Sequence, residues 1–335
     1  MWPALGDVAV RARGLAGHLL TRSDLERLAR VSASGVLARA LESLGYWPAP
    51  SKGMLAGSTA EVIDAAIEHE TLRRLALLGR WLGERRGLFS GVFEEQERRA
   101  LRIQLRRLTT GDTHPLSHGV RQAFVGLPRR TREELERAGD IAGLLTALGR
   151  IGSPYAEPLQ ATLRARGEDL LGLEMALDQT FAWRALRAAK RKGGRLLSWV
   201  MDGIDLENAW GAVVGQTDAY IDGGCRLSRE RHATIARETD KRKRRGQLAF
   251  IFARSSMSSV FNDPDAPLAV LETRALRARI AAERRASRID PIGPSPILEC
   301  VMRMGAERAD LRRINWGIAA GLPAEAIVGQ LLVTS

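Results

Sequence analysis

Apolar residues recur along most of this chain at helical rather than strand spacing. Leu72, Leu75, Leu78 and Leu82 fall at steps of three and four, with Leu77 and Trp81 widening the stripe. Leu101, Leu105 and Leu108 form a second stripe, Leu206, Trp210, Val213 and Val214 a third, and Leu311, Ile314 and Ile318 a fourth. Residues so spaced share one face of a helix, and that face is expected to turn toward a core. Strand-like alternation is scarce. LAFIFA (248–253) is the one tempting run, and charged and serine-rich segments flank it. The fold class predicted from the pattern is all-α.

Two short patterns repeat. ERRALRIQLRRLTTG (97–111) and ERADLRRINWGIAAG (307–321) share Glu-Arg, then Leu-Arg, then a glycine at equal spacing, and DLENAWGAVVG (205–215) is a looser copy. Each reads as a helix with acid in its early turns, an apolar stripe from Leu101 or Leu311, and glycine where a C-cap falls. The second pattern aligns VLARALESLGYWPA (36–49) with GLLTALGRIGSPYA (143–156): Leu37 with Leu144, Leu41 with Leu148, Leu44 with Ile151, Gly45 with Gly152. LAFIFARSSMSSVF (248–261) is a degenerate third copy. The two patterns alternate along the chain. That order predicts three similar helical units, 1–111, 112–223 and 224–335, with breaks near Gly111 and Gly223. Units of this kind bury their apolar faces by stacking on their neighbours.

Composition narrows the function classes. At 335 residues, with 45% hydrophobic and 27% charged residues, the chain is an ordinary globular one with more than one packed unit. Its formal net charge is +12, almost all from arginine; lysine occurs only at Lys52, Lys190, Lys192, Lys241 and Lys243. A basic surface suits nucleic acid, anionic lipid or an acidic protein partner. An arginine bias also follows from base composition of the coding DNA without any ligand. Cys225 and Cys300 stand alone, which points to a reducing compartment and neither a disulfide framework nor a zinc site. The first residues lack the pattern of a signal peptide. No apolar run reaches membrane-spanning length; the closest, 318–333, contains Pro323 and Glu325.

Catalytic motifs are missing. No lysine follows a glycine, so no P-loop is present, and there is no GxGxxG, GxSxG or HExxH. His114 and His118, with Asp112, have metal-like spacing, but Pro115 and the flanking Gly111 and Gly119 predict a loop. The basic clusters 188–195 and 240–247 offer phosphate contacts, yet carry no interleaved aromatics for base stacking. They read as solvated helix ends and loops.

The ordered motifs resemble a known family. Ser153-Pro154-Tyr155-Ala156 closes a Leu-x3-Leu helix; Asp205-Leu206-Glu207-Asn208 is an acidic-to-asparagine element; IDGGCRLS (221–228) carries the Gly223-Gly224 pair. The stretch from Glu307 runs through Leu311 and Gly321 to a closing Val333. Together these are similar to the family of C-type subunits of the V-type and archaeal-type ATPases, whose eukaryotic members are the d-type subunits. The chain departs from the family pattern at Asp310 and Ala100, where asparagine is expected, and at the serine-rich SSMSS stop. The resemblance implies a funnel of three helical units around a pseudo-threefold axis. It implies a peripheral place on the cytoplasmic face of a membrane, with the proteolipid ring below and the central shaft of the ATPase head in the cavity. Torque then couples ATP hydrolysis or synthesis to proton or sodium translocation. No catalytic residue, cofactor, resident metal or nucleic acid is implied; anionic lipid head groups are a further expected contact. Pro154, Tyr155, Asp205, Asn208, Gly223, Gly224, Leu311 and Gly321 are the motif residues. Asp205 and Asn208 are expected to cap or bridge helices, or else to touch a partner. The competing readings are a basic helical nucleic-acid-binding protein and a helical scaffold with other partners.

Overall fold

A computed structural model describes residues 4–46, 59–111 and 127–333. The chain opens with α1 (Gly6–Gly17), α2 (Arg22–Ala29), α3 (Ser34–Ser43) and the long α4 (Ala60–Leu82). A 3-10 segment, Gly83–Phe89, leads into α5 (Ser90–Phe93), α6 (Glu95–Thr109), α7 (Arg129–Arg137), α8 (Ile141–Arg150) and α9 (Ala156–Arg166). Then come α10 (Leu170–Lys192), α11 (Gly194–Val214), α12 (Arg229–Arg237) and α13 (Lys241–Phe252). The chain returns through α14 (Leu268–Ile289), α15 (Ser295–Ala319) and α16 (Ala324–Gly329). The protein is all-α, with no strand among the described residues. The LAFIFA run lies on α13, where Leu248 and Phe252 face inward at i, i+4 and Phe250 faces solvent.

Local chemistry sets the helix ends. Thr21 and Asp24 form a capping box at α2, each side chain bonding the other's backbone amide. Asp140 caps α8 through the Gly143 amide and Ser228 caps α12 through the Arg231 amide. At the other ends, Gly111, Gly215 and Gly321 have φ of +65°, +80° and +69°, and Gly45 and Gly152 have +77° and +69°. These left-handed conformations favour glycine and release the chain from a helix.

Packing divides the chain into two compact units, one built from residues 1–83 with 266–335 and one from 84–265. In the terminal unit Leu25, Leu28, Leu37, Leu41, Ile63, Ile67, Leu311 and Ile314 form the core. In the middle unit the core is Leu101, Leu105, Leu135, Leu144, Leu148, Tyr155, Leu173 and Leu177. Each fully buried leucine is worth roughly 1.5–3 kcal/mol of transfer free energy. The same pairing of the two sequence patterns builds both cores. Leu37 and Leu41 of α3 meet Leu311 of α15 in one, and Leu144 and Leu148 of α8 meet Leu101 of α6 in the other.

The buried face of α4 differs from the leucine stripe expected of it. Leu78 and Leu82 are buried, but Leu72 and Leu75 are only partly so. The face turned inward runs instead through Ile63, Asp64, Ile67, Glu68, Glu70 and Arg74. Charged side chains occupy a core-facing stripe because each has an opposite charge within reach: Asp64, Glu68 and Arg74 find theirs on α15, and Glu70 pairs with Arg73 and Arg74 of its own helix.

Candidate functional site

Two rows of ion pairs, one in each unit, tie the long helices together. In the middle unit α6 offers Arg98, Arg102 and Arg106 at steps of four, so all three lie on one face. α10 presents Glu174 and Asp178 with the same step in the opposite direction. Arg106 pairs with Glu174, Arg102 Nη2 lies 2.5 Å from Asp178, and Arg98 Nη1 lies 3.0 Å from the same carboxylate. Arg184 of α10 extends the row to Glu94 at 2.6 Å, just before α6. The Arg98 guanidinium also lies over the Phe181 ring at 4.7 Å. Its carboxylate neighbours outweigh burial and hold Arg98 firmly charged.

The terminal unit repeats the device. Asp64 and Glu68 of α4 meet Arg312 and Arg308 of α15 at 2.7 and 3.1 Å, again in antiparallel steps of four. Arg74 Nη1 then donates to Glu307 and to the Tyr46 hydroxyl, both at 3.2 Å, while its Nε meets Glu70 at 2.7 Å. Arg308 and Arg312 occupy the places in the repeat that Arg98 and Arg102 hold in α6. Glu307 and Glu97 also correspond, and burial pushes both carboxyls above their ordinary range, Glu307 to about 8. Glu307 shares its one close guanidinium with Glu70, so charge compensation is incomplete there. Ion pairs this buried contribute little net stability, because desolvation offsets attraction. What they impose is register: a helix shifted by one turn would bury unpaired charge.

A second device anchors the chain that follows each repeated helix. Asp205, fully buried in α11, accepts backbone amides from Cys225, Arg226 and Leu227 at 2.9–3.1 Å. One turn on, Asn208 holds Ile221 by both its backbone groups, at 2.7 and 2.8 Å. Gly224 and Gly223 let that loop lie so close. A Cβ at Gly224 would stand 2.1 Å from Asp205 Oδ1, and Gly223 has φ +116° with Leu186 Cδ1 2.2 Å from an added Cβ. In α15 Asp310 takes the part of Asp205 rather than that of the asparagine, accepting amides from Leu332 and Val333 at 2.6–2.8 Å. In α6 Gln104 Nε2 donates to the Leu135 carbonyl at 2.8 Å.

The remaining motif residues are dispersed. Pro154 is exposed in the turn before α9, whereas Tyr155 is fully buried and its hydroxyl donates to Glu94 at 3.4 Å. Leu311 is a core residue and Gly321 an exposed turn. Asp205 and Asn208 therefore sit together with Gly223 and Gly224, while Pro154, Tyr155, Leu311 and Gly321 do not join them. Asp112, His114 and His118 lie outside the described residues.

Other candidate chemistry is already occupied. Asp202, Asp205 and Cys225 bring ligand atoms within 4.8 Å of one another. The Asp205 oxygens, however, face the backbone amides of their own loop, and burial beside Asp205 pushes the Cys225 thiol up to about 11. A protonated thiol is a poor ligand and nucleophile. In the 240–247 cluster Arg242 pairs with Asp265, and Arg244 and Arg245 bind the carbonyls of Val213 and Pro264. Lys190, Arg191 and Lys192 are exposed at the end of α10. Sequence reasoning missed the buried acids Asp64, Glu68, Glu70 and Asp178; the available signal was acids at steps of four facing arginines at steps of four in another helix.

A family model described as the ATP synthase (C/AC39) subunit matches residues 8–330. No curated protein matches the chain.

Proposed function

Since the chain belongs to the ATP synthase (C/AC39) subunit family, and is thus part of a V/A-type rotary ATPase, we propose that it is the central-stalk rotor piece joining the shaft to the membrane proteolipid ring. In that role it binds the central-shaft subunits of the head on one side and the ring on the other, on the cytoplasmic face. It performs no chemistry and passes torque in either direction, coupling ATP hydrolysis or synthesis to proton or sodium movement.

The observation that carries this reading is the family match over nearly the whole chain. The mechanics agree with it. A part that transmits torque must resist twisting, and close-packed helices locked in register by buried ion pairs resist sliding past one another. No helix among the described residues is long and apolar enough to cross a membrane, which suits attachment through protein contacts. The three helices α6, α11 and α15, each tying down the chain that follows, are what a chain of three related helical elements would present.

The test is co-purification. Tagged protein recovered from native membranes with mild detergent is expected to bring down shaft and proteolipid subunits in fixed stoichiometry. Recovery as a free monomer with neither would refute the assignment.

A further inference from the structure

The terminal unit contains a cleft of about 390 Å³ lined by Arg22, Arg277, Arg284, Arg285, Arg288 and Arg303. Four of these come from one face of α14 and one from α15, across from it. They divide into two groups. Arg22 donates to the carbonyls of Val328, Leu331 and Val333, and Arg277 to those of Leu331 and Leu332, so both are spent on holding the chain in place. Arg284 reaches Glu299 at 3.4 Å. Arg285, Arg288 and Arg303, by contrast, have no hydrogen bond or ion pair with any described residue.

Arg303 is the informative member, because it is half-buried. The other arginines of α15 all have carboxylates: Arg308 meets Glu68, Arg312 meets Asp64 and Arg313 meets Asp310. A helix that matches its other arginines to acids leaves this one pointing into a cavity. Only one carboxylate lines the cleft, that of Glu307, and it is engaged by Arg74 at 3.2 Å. The wall therefore carries uncompensated positive charge in a space of ligand-site size, roughly 300–1,000 Å³.

We propose that this cleft binds a small ligand bearing two phosphate groups, gripped by Arg285, Arg288 and Arg303. Guanidinium groups bind phosphate oxygens in pairs of parallel hydrogen bonds, a geometry that a lone ammonium cannot offer. Phosphate groups of about −1.5 to −2 each at neutral pH balance three guanidiniums; a single carboxylate does not. Leu19, Leu20 and Ile280 give the cleft an apolar side for whatever the phosphates are attached to. The ligand is either a free diphosphate compound or a lipid head group carrying phosphate monoesters.

The full chain is titrated with inorganic pyrophosphate by calorimetry at about 0.1 M salt, where exposed charges more than ~10 Å apart are largely screened. It is also sedimented with phosphatidylcholine vesicles containing a phosphatidylinositol bisphosphate, whose head group carries two phosphate monoesters. Saturable pyrophosphate binding that weakens about tenfold in Arg303→Gln, and at least as much in Arg285→Gln/Arg288→Gln, is the expected result. Lys190→Gln/Lys192→Gln, in the other unit, is expected to leave it unchanged. Pyrophosphate binding without vesicle binding identifies a free ligand; vesicle binding that pyrophosphate displaces identifies a head group. No saturable binding in either arm overturns the proposal, as does binding that the cleft variants leave intact or the lysine variants weaken equally. Arg285 and Arg288 are exposed, so that double variant keeps the test valid even where Arg303→Gln fails to fold.

Discussion

Asp205 shows how one residue can fix a loop. Its carboxylate replaces water for three consecutive amides, so Asp205→Ala leaves the buried Leu227 amide and two part-buried ones without their acceptor. The expected loss is about 2–4 kcal/mol in chemical denaturation. Gly224→Ala acts on the same contact from the other side, since its Cβ would collide with Asp205 Oδ1. It is expected to cost a similar amount and to add little once Asp205 is already alanine, because both changes break one contact. Glu307 gives a pH signature. Its folded pKa, raised by burial from 4.5 to about 8, means the folded state holds a proton that the unfolded state has released. Stability therefore falls as pH rises from about 4.5 to about 8 and levels off above, with a slope of at most about 1.4 kcal/mol per unit from this group. Glu307→Gln is expected to reduce that slope in thermal melts between pH 5 and 9. At this scale the sequence was partly readable. The glycines at 45, 111, 152, 215 and 321 announce their turns by identity and position, and Asp205 and Asn208 stand out inside an apolar helix. Their partners did not, because a hydrogen bond to a backbone amide leaves no mark on the residue that donates it.

At the level of helices, the ion-pair rows make a specific claim about how loss of one member propagates. Removing Asp178 takes a carboxylate from both Arg98 and Arg102, whereas removing Arg102 leaves Asp178 still paired with Arg98. Asp178→Ala is thus expected to destabilise by about 3–5 kcal/mol and Arg102→Ala by clearly less, read from urea midpoints. The pair Asp178→Leu/Arg102→Leu is expected to recover part of the loss, with Arg98 still paired to Glu95 and, at 4.0 Å, to Glu207. Amphipathic periodicity predicted the helices well, and it assigned α6 and α15 their inward leucines. It misplaced the inward face of α4, where Leu72 and Leu75 of the expected stripe are only partly buried and Asp64, Glu68, Glu70 and Arg74 are buried instead. A charge at i and i+4 looks the same in sequence whether it faces water or an arginine on another helix. Only the complementary spacing in a segment some 240 residues away distinguishes the two.

For the whole molecule, the repeat and the packing describe different things. The alternating patterns are local and were legible; the union of residues 1–83 with 266–335 was not, because contacts across that separation have no local signature. The division predicts that residues 84–265, expressed alone, give a helical and cooperatively melting fragment, whereas residues 1–83 alone do not. Far-UV circular dichroism with thermal melts checks both.

The same division sets an order of events during synthesis. The first four helices are made early, but Leu311 and Ile314, which complete their core, emerge only after the whole middle unit. At roughly 5–20 residues per second, that is an interval of about ten to forty seconds. Through it Leu37, Leu41, Ile63 and Ile67 face solvent uncovered, beside a middle unit that is already free to fold. The early helices are thus natural clients for a nascent-chain chaperone, and the last step of folding is the return of the final helices to close over them.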